Sequence, residues 1–517
     1  MESAAPFFSA SRWVRWSRVM FLLVSVLSVP MLVAREVAVK NVAELKAAVA
    51  AAASGDVIRL ASGQYDNVSL KVAHNGTEGR PIVIMAAKAG EAILGGSSEI
   101  DISGAHVVID GLYLLNGALA GGGAERSVIT FNSHHGVVRN TAIVDYNPPA
   151  FNTSYYWVFF NGNNNQLDHC YFKGKNNLEP LIGNGLEGAH HNSVVGCYFK
   201  NIPFDVGNGR EDIRVWGSGK FDEKTADGAY FTVQGNLFDH ADGEGTEIIS
   251  LKSNFNQVLN NTVRATRGGI NIRRGANNTV KGNIVLGEGV AGAHGLRMSG
   301  SNHVVQGNYV SGCDYGIRVS AGEFTGYALT PSYAPHEKNN AKSAKNALGI
   351  VTAYPQSKKL TLANNVIVGC DGVDLELGSD YKKHWPEEQM VLLPSDCDIT
   401  GNRFIKLKGG LSIEVTAPEA QFASLAAKSL ANRFRSNVVY GGKIKGSGAE
   451  AGCKIEGLPS GWTEKREMGD FKPLKPEDVG PPWVIALRAA GNFEVEDDMS
   501  CSRDPAAAKT KKKKKVK

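Results

Sequence analysis

A short β-type pattern repeats along most of the chain and constrains the fold more than any other feature. Each unit has a polar residue, alternating apolar residues, an Asn or Cys, and then two or three apolar or aromatic residues. Examples are "NQLDHCYFKG", "NQVLNNTVRA" and "NTVKGNIVLG". The anchors Asn236, Asn261, Asn283 and Asn308 are 25, 22 and 25 residues apart. Short strands at a fixed period without helices predict an all-β solenoid. A β-sandwich or propeller, the structural alternative, would show hairpins or a longer period.

The ends of the repeat set the predicted domain boundaries. Residues 41–56, "NVAELKAAVAAAASGD", have a helical pattern that predicts an N-terminal helix capping the first coil. The solenoid is predicted over residues 35–440. Residues 322–353 interrupt it as a long loop, and residues 441–505 are predicted to be an irregular segment packed on it.

The two termini differ in composition from the body of the chain. Three arginines precede the apolar run "VMFLLVSVLSVPMLVA", which predicts a secretory signal over residues 1–34 and a secreted or periplasmic protein. This run is short for a membrane span, so no stable membrane insertion is expected, and an uncleaved anchor is the alternative. Residues 506–517 form a lysine-rich tail that is predicted to be disordered.

Charge and cysteine content narrow the function classes. The net charge of +5 includes seven tail lysines and a leader of net +2, so the remaining body carries −4. A mildly acidic body does not favour nucleic acid as a partner. None of the seven cysteines forms a CxxC pair, so there is no zinc-ribbon signal. Cys170 and Cys197 occur at equivalent points of successive repeats, which predicts stacked buried thiols rather than a disulfide.

Aligning the coils predicts a column of polar side chains on one outer face. The segments "GTEIISLK", "GGINIRRG", "HGLRMSG" and "YGIRVSA" place Glu247, Asn271, Arg297 and Arg318 one above another, about 4.8 Å apart. Arg273 lies two residues beyond Asn271, on the same face. Strict alternation would put Lys252 on the opposite face, unless a turn or strand end brings it round. A basic strip that ends in carboxylates indicates an elongated anionic polymer as the partner.

At these residues the sequence resembles polysaccharide lyase family 6, which contains alginate lyases and chondroitinase B. The family motif has a glutamate followed by "IIxxKS" and an arginine 21 residues after the lysine, matched here by Glu247, Lys252 and Arg273. A family asparagine in a stretch that runs from "NG" to "IR" is matched by Asn208 in "NGREDIR". The resemblance covers about residues 38–440 and implies a single right-handed parallel β-helix.

The resemblance also implies a reaction, β-elimination on a uronic-acid polymer, most simply alginate. Lys252 would remove the C5 proton, and Arg273 would stabilise or protonate the leaving O4. Calcium would neutralise the uronate carboxylate, held by Asn208, Glu247 and Glu244. The substrate-binding residues would be Arg297, Arg318, His294 and Tyr315.

One departure puts the calcium site in question. The family has two glutamates separated by one residue, whereas here the position two before Glu247 is Gly245, and Glu244 lies three before. Residues i and i+3 of a regular strand face opposite ways. A bulge at Gly245 would restore a shared direction, and without one the calcium site is incomplete.

Three other functions fit parts of the pattern. A chondroitin or dermatan sulfate lyase would use the same chemistry. A solenoid glycoside hydrolase would need a carboxylate pair, for which Asp374 and Glu376 are candidates. A non-catalytic polysaccharide-binding solenoid is the third. The sequence does not decide between endo and exo action or give the oligomeric state.

Overall fold

The computed structural model describes residues 34–491 except 187, 206–207, 218–223, 325–353, 383, 386–387, 421–422, 424–430 and 447. The predicted signal segment, the lysine-rich tail, Cys501 and nearly all of the predicted 322–353 loop lie outside these residues. Within them, no helix is long and apolar enough to cross a membrane.

The chain folds into a right-handed parallel β-helix, as predicted. Each coil passes through three long parallel sheets in turn, which we name sheets A, B and C in the order in which a coil meets them. Sheet A contains the strands Glu36–Val39, Val57–Leu60, Ile82–Ala86, Val107–Asp110, Val137–Arg139, Gln166–Asp168, Ser193–Val195, Thr232–Gln234, Gln257–Leu259, Thr279–Lys281, Val304–Gln306, Thr361–Ala363, Asp398–Thr400 and Arg433–Arg435.

Sheet B follows in each coil, and sheet C follows sheet B. The strands of sheet B are Gly63–Asp66, Ala92–Gly95, Tyr113–Leu115, Ala142–Val144, Tyr171–Lys173, Tyr198–Ile202, Leu237–Ala241, Thr262–Arg264, Ile284–Leu286, Tyr309–Ser311, Val366–Val368, Arg403–Ile405, Asn437–Tyr440 and Cys453–Glu456. Those of sheet C are Ser69–Val72, Glu99–Ile102, Ser127–Phe131, Tyr156–Phe160, Ile182–Asn184, Ile213–Trp216, Glu247–Lys252, Gly268–Arg274, Ala293–Met298, Ile317–Ser320, Leu375–Ser379, Leu411–Val415 and Lys443–Lys445. A small antiparallel sheet lies outside the coils and contains Gly322–Phe324, Glu388–Leu392 and His384–Trp385.

The asparagine anchors of the repeat form a buried ladder at the corner between sheets A and B. Each Nδ2 donates to the Oδ1 of the asparagine one coil further on, at 2.9–3.0 Å. Each Oδ1 also accepts a backbone N–H from the preceding coil, so the corner carries polar groups into the core with their hydrogen bonds satisfied. The ladder consists of Asn236, Asn261, Asn283, Asn308, Asn365, Asn402 and Asn437. Cys197 continues it, and the free thiols Cys170 and Cys197 stack as predicted.

Helix α1, Val42–Ala50, contacts the first strands of sheets A and C and buries Leu45 and Val49 in the core. Asn41 caps its N-terminus by accepting the Glu44 N–H, and the Glu44 carboxylate in turn accepts the Lys40 N–H. The helix ends earlier than the predicted residue 56. Asp56 instead accepts the Ala53 N–H and directly precedes the next strand, Val57–Leu60.

The coils also continue past residue 440, through Lys443–Lys445, the 3₁₀ helix Glu450–Gly452 and Cys453–Glu456. The chain then returns along the outside of sheet B with helices α2, Glu464–Met468, and α3, Pro482–Ala489. Trp462 and Phe471 pack near Tyr309, and Val479 and Val484 pack near Tyr171. This segment covers an apolar outer face that would otherwise contact water.

Candidate active site

The polar column predicted on the solenoid surface lies on the outer face of sheet C. Asn271 pairs with Arg297, and Arg297 pairs with Arg318, in adjacent parallel strands. On the other side, Asn271 pairs with Ser250 rather than with the predicted Glu247. The column therefore contains Arg214, Ser250, Asn271, Arg297, Arg318, Glu376 and Glu414.

The position of Glu247 was predicted wrongly because its strand is irregular. Glu247 pairs with Gly269, and the register shifts before Ile249, which pairs with Ile270. Ile248 and Ile249 are consecutive and both lie in the core, so the inside–outside alternation is interrupted between Glu247 and Ser250. Glu247 consequently faces the same side as Ser250, whose Oγ donates to its carboxylate. Lys252, two residues beyond Ser250, is brought to this side as well.

Gly245 lies in a tight turn just before this strand. Its φ is +73°, and its N–H donates to the Asp242 carbonyl at 2.7 Å. A Cβ on Gly245 would lie 2.5 Å from the Phe204 ring, so this turn requires glycine in two ways. The turn reverses the chain so that Glu244 is directed toward Glu247.

Three buried glutamates meet at this turn. Carboxylate oxygens of Glu211, Glu244 and Glu247 all lie within 4.8 Å of one another. Glu244 accepts the Gly209 N–H at 2.6 Å. Burial and the charges of Glu211 and Glu247 raise the pKa of Glu244 to about 8. Asn208 is exposed and directly precedes Gly209 in the chain.

Lys252 lies at the edge of this cluster and is only 2% exposed. Its Nζ is 2.7 Å from the Glu211 carboxylate. Burial lowers the pKa of Lys252, and Arg273 lowers it further, against the opposing effect of Glu211 and Glu247. Burial would raise the pKa of Glu211, but Lys252 and Arg214 outweigh it and hold that pKa below its usual value.

A single indole ring lies among three cations beside the cluster. Trp216 pairs with Lys252 in the adjacent strand, and the Lys252 Nζ is 4.9 Å from the ring centroid. The guanidinium carbons of Arg274 and Arg214 are 5.1 and 5.5 Å from it. Burial, followed by the charge of Arg273, lowers the pKa of Arg274 to about 10. These contacts hold the lysine side chain in one direction.

Arg273 and Arg297 both lie against Tyr354. Their guanidinium carbons are 5.1 and 5.3 Å from the centroid of that ring. Arg297 also donates to Asp380 at 2.7 Å. The Nε of Arg273 is buried and has no hydrogen-bond partner among the described residues. Arg273 therefore keeps an N–H that no described residue accepts.

The remaining predicted binding residues form a second group further along sheet C. Arg318 lies 4.0 Å from the Tyr315 ring centroid and donates to Glu376 at 2.9 Å. Tyr315 stacks on His294 with ring centroids 4.7 Å apart, and burial lowers the pKa of His294. The arginines of the predicted strip are thus partly neutralised by carboxylates of the protein itself.

The carboxylate pair considered for a hydrolase does not form a catalytic pair. Asp374 is fully buried, and the Lys406 ammonium lies 3.4 Å from its carboxylate. Glu376 is on the outer face and is paired with Arg318. Two carboxylates held by different cations, one of them inside the core, cannot flank a glycosidic bond.

Comparison with known proteins identifies the family. The chondroitinase B family model matches residues 39–320. The PL6 family polysaccharide lyase Pedsa3628 from Pseudopedobacter saltans is 35% identical, with a TM-score of 0.73, and the match covers 86% of this chain and 99% of that one. The chain belongs to polysaccharide lyase family 6. It is therefore a polysaccharide lyase, as its motifs predicted.

Two other family 6 structures share the fold at lower identity. A mannuronic acid specific lyase from human gut microbiota is 23% identical, with a TM-score of 0.69, covering 89% of this chain and 98% of that one. The alginate lyase AlyGC is 22% identical, with a TM-score of 0.70, covering 87% of this chain and 58% of that one. No curated protein matches the chain by sequence.

The donor set of this family 6 lyase fits a calcium ion. Calcium takes six to eight oxygen ligands, and three buried carboxylates supply several of them. Burial raises the pKa of Glu244 most, and repulsion from Glu211 and Glu247 raises it further; a divalent cation would relieve that repulsion. The turn at Gly245 thus directs the Glu244 carboxylate toward that of Glu247, which the sequence alone did not decide.

Sequence reasoning missed several residues of the site. Glu211 lies inside the quoted motif "NGREDIR" but was not singled out, although it contacts Lys252 directly. Trp216 could have been found from its place two residues after Arg214, on the same face of one strand. Tyr354 and Asp380 come from outside the repeats that formed the column, so no periodicity could have indicated them.

Proposed function

We propose that this lyase cleaves alginate by β-elimination, with Lys252 as the base and Arg273 stabilising the charge that develops on the leaving O4. The observation that carries the proposal is the position of Lys252, buried with a lowered pKa between the glutamate cluster and Arg273. A base that removes a weakly acidic C5 proton needs an uncharged amine, and burial favours that form.

The neighbouring groups favour this chemistry. Glu211 and Trp216 orient the Lys252 side chain, and Arg273 has a buried N–H that no described residue accepts. A guanidinium at this place can stabilise negative charge as it develops on the leaving O4. Arg297, Arg318, His294 and Tyr315 would bind the neighbouring uronate units.

Calcium would be held by Glu211, Glu244, Glu247 and Asn208. When bound, the ion would neutralise the substrate carboxylate, which lowers the cost of forming a carbanion at C5. The positive charge of Arg273 lies on the same face and adds to this effect. The chain's own residues thus bind the uronate, orient it and move its proton.

Alginate is favoured because similar structures in this family are described as alginate lyases. One of them is a complex with a trisaccharide. The family model is named for chondroitinase B, so a chondroitin or dermatan sulfate lyase is the second candidate. The apolar leader supports secretion, which would bring the enzyme to an extracellular polymer.

The substrate test measures the ultraviolet absorbance of the unsaturated product. Alginate, its mannuronate-rich and guluronate-rich fractions, and chondroitin and dermatan sulfates are each incubated with the enzyme. We expect absorbance to rise with alginate. A rise only with the sulfated polymers would establish the second candidate. New reducing ends without absorbance would show hydrolysis and refute both.

The site test uses conservative variants. Lys252→Arg keeps a cation beside Glu211 but cannot act as a base, since a guanidinium stays protonated. We expect kcat to fall by about 10²–10⁴, as for removal of a general base, with substrate still retained on an alginate column. Arg274→Lys is the matched control, because it alters a neighbouring cation of Trp216 outside the proposed proton transfer. Near-normal turnover in Lys252→Arg would eliminate the base assignment.

A further inference from the structure

A group of histidines lies at a corner of the solenoid that the lyase reaction does not use. At the turn from sheet C to sheet A, successive coils read "GAHVV", "SHHGVV", "NNNQL" and "AHHNSVV". The turn residues His106, His135, Asn164 and His191 all have positive φ, between 51° and 58°. Their side chains therefore point outward from equivalent places, one coil apart.

Three of these imidazoles converge. His106 and His135 stack with ring centroids 4.7 Å apart and an interplanar angle of 9°. His134 lies edge-on to both rings, and its Nδ1 is 2.8 Å from the Nδ1 of His135. One ligand nitrogen from each ring lies within 4.8 Å of the other two. His134 and His135 are exposed and His106 is half-buried, so an ion can reach them.

The backbone fixes this arrangement between two coils. The His106 N–H donates to the His134 carbonyl at 3.2 Å, and the flanking strands Val107–Asp110 and Val137–Arg139 pair in register. The ligand nitrogens of a zinc site are about 3.3 Å apart, given Zn–N bonds of about 2.0–2.1 Å. Small rotations of these side chains bring the three nitrogens to that spacing.

We propose that His106, His134 and His135 form a binding site for a divalent transition-metal ion such as Zn²⁺, which joins two successive coils. Imidazole nitrogens suit zinc, copper and nickel, whereas calcium prefers the oxygens of the glutamate cluster. Three protein ligands leave a further position for water. The site binds an ion in the folded state only, so the ion stabilises the N-terminal part of the solenoid.

The same corner offers a matched control two coils further along. His190 and His191 repeat the local geometry, with Nδ1 atoms 2.9 Å apart and rings at 87°. The third partner there is Tyr230, stacked on His191 at 4.6 Å, which supplies no nitrogen. Asparagine occupies the equivalent turn position at Asn164, so His→Asn replacements at this corner preserve the backbone conformation.

The test is a titration of the full chain with Co²⁺ and Zn²⁺ in excess Ca²⁺, which keeps the carboxylate cluster filled. We expect one ion per chain, a visible Co²⁺ absorption that Zn²⁺ displaces, and a higher melting temperature with Zn²⁺. Each of the variants His106→Asn, His134→Asn and His135→Asn should weaken binding at least about tenfold. The double variant of His190 and His191 to Asn should bind as the wild type does.

Three results would overturn the proposal. One is no binding at millimolar metal. Another is binding that His106→Asn leaves intact, which would show a two-histidine site. The third is binding that is lost in the His190 and His191 variant. Lyase activity in Ca²⁺ should be unchanged in all of these variants, because none of the residues lies in the proposed active site.

Discussion

Replacing His303 by asparagine should make the protein more resistant to acid. His303 is fully buried, its Nδ1 accepts the Asn278 N–H at 3.2 Å, and its Nε2 lies 3.1 Å from the Ser299 carbonyl. Burial lowers the pKa of His303 from 6.5 to about 4. Asparagine already occupies the equivalent place one coil earlier, where Asn278 accepts the Asn256 N–H, so the replacement continues an existing ladder.

The sign and size of the effect follow from these pKa values. Below pH 6.5 the unfolded chain binds a proton at His303 that the folded protein does not take up until about pH 4. The contribution of neutral His303 is therefore complete above pH 6.5 and is lost as the pH falls through this window. Between about pH 7.5 and about pH 4.5 the loss amounts to about 2.5 kcal/mol. Asparagine does not titrate, so the variant does not lose this part of its free energy of unfolding as the pH falls.

The assay is urea unfolding of wild type and His303→Asn, followed by tryptophan fluorescence at both pH values. Asp374 and Glu244, whose pKa values are raised to about 7 and about 8, act in the opposite direction, because the folded protein keeps their protons. Both proteins contain these carboxyls, so their effect cancels in the difference. If the free energies of unfolding of the two proteins change equally with pH, the reasoning is refuted.

Three further outcomes are expected. Gly245→Ala should lower stability by more than about 1–2 kcal/mol and reduce activation by calcium, because it strains the turn that directs Glu244. Melting curves measure the first effect and calcium titration of activity measures the second. The control is Gly235→Ala, which is also at positive φ but has open space around it and should leave calcium activation unchanged. Asn283→Ala should cost at least about 1–3 kcal/mol in urea unfolding because it leaves buried ladder partners unpaired, and a smaller loss would mean that water replaces them. Chelation of calcium should reduce turnover in the absorbance assay, and full activity after exhaustive chelation would show that the arginines alone neutralise the substrate.

The architecture could be read from the sequence because a solenoid is built from local repeats. Apolar alternation sets which side chains enter the core, and each coil contacts its neighbours in chain order. The anchor asparagines and the stacked thiols Cys170 and Cys197 follow from the same periodicity. The stacking of Asn271, Arg297 and Arg318 was predicted correctly for this reason.

The predictions failed where the period is interrupted. The register shift after Glu247 moved that residue out of the column and put Ser250 in its place. Ile248 and Ile249 are adjacent and both lie in the core, which interrupts the alternation. The sequence alone does not indicate which of the neighbouring residues then faces outward in the column. The end of the coils also lay beyond the predicted residue 440, since Cys453–Glu456 follows a short and irregular connection.

By itself, the sequence determined the repeating coil, the outward face of sheet C and the motif that pointed to a family 6 lyase. Only the tertiary structure decided that Glu211 contacts Lys252, that Glu244 and Glu247 converge, and that Tyr354 lies against Arg273. The physical reason is that apolar alternation along a strand indicates whether each side chain faces the core or solvent, and this needs only the residues next to it in the sequence. Contacts made through turns, bulges and inserted segments depend on where the backbone bends, and that is settled by the packing of the whole solenoid.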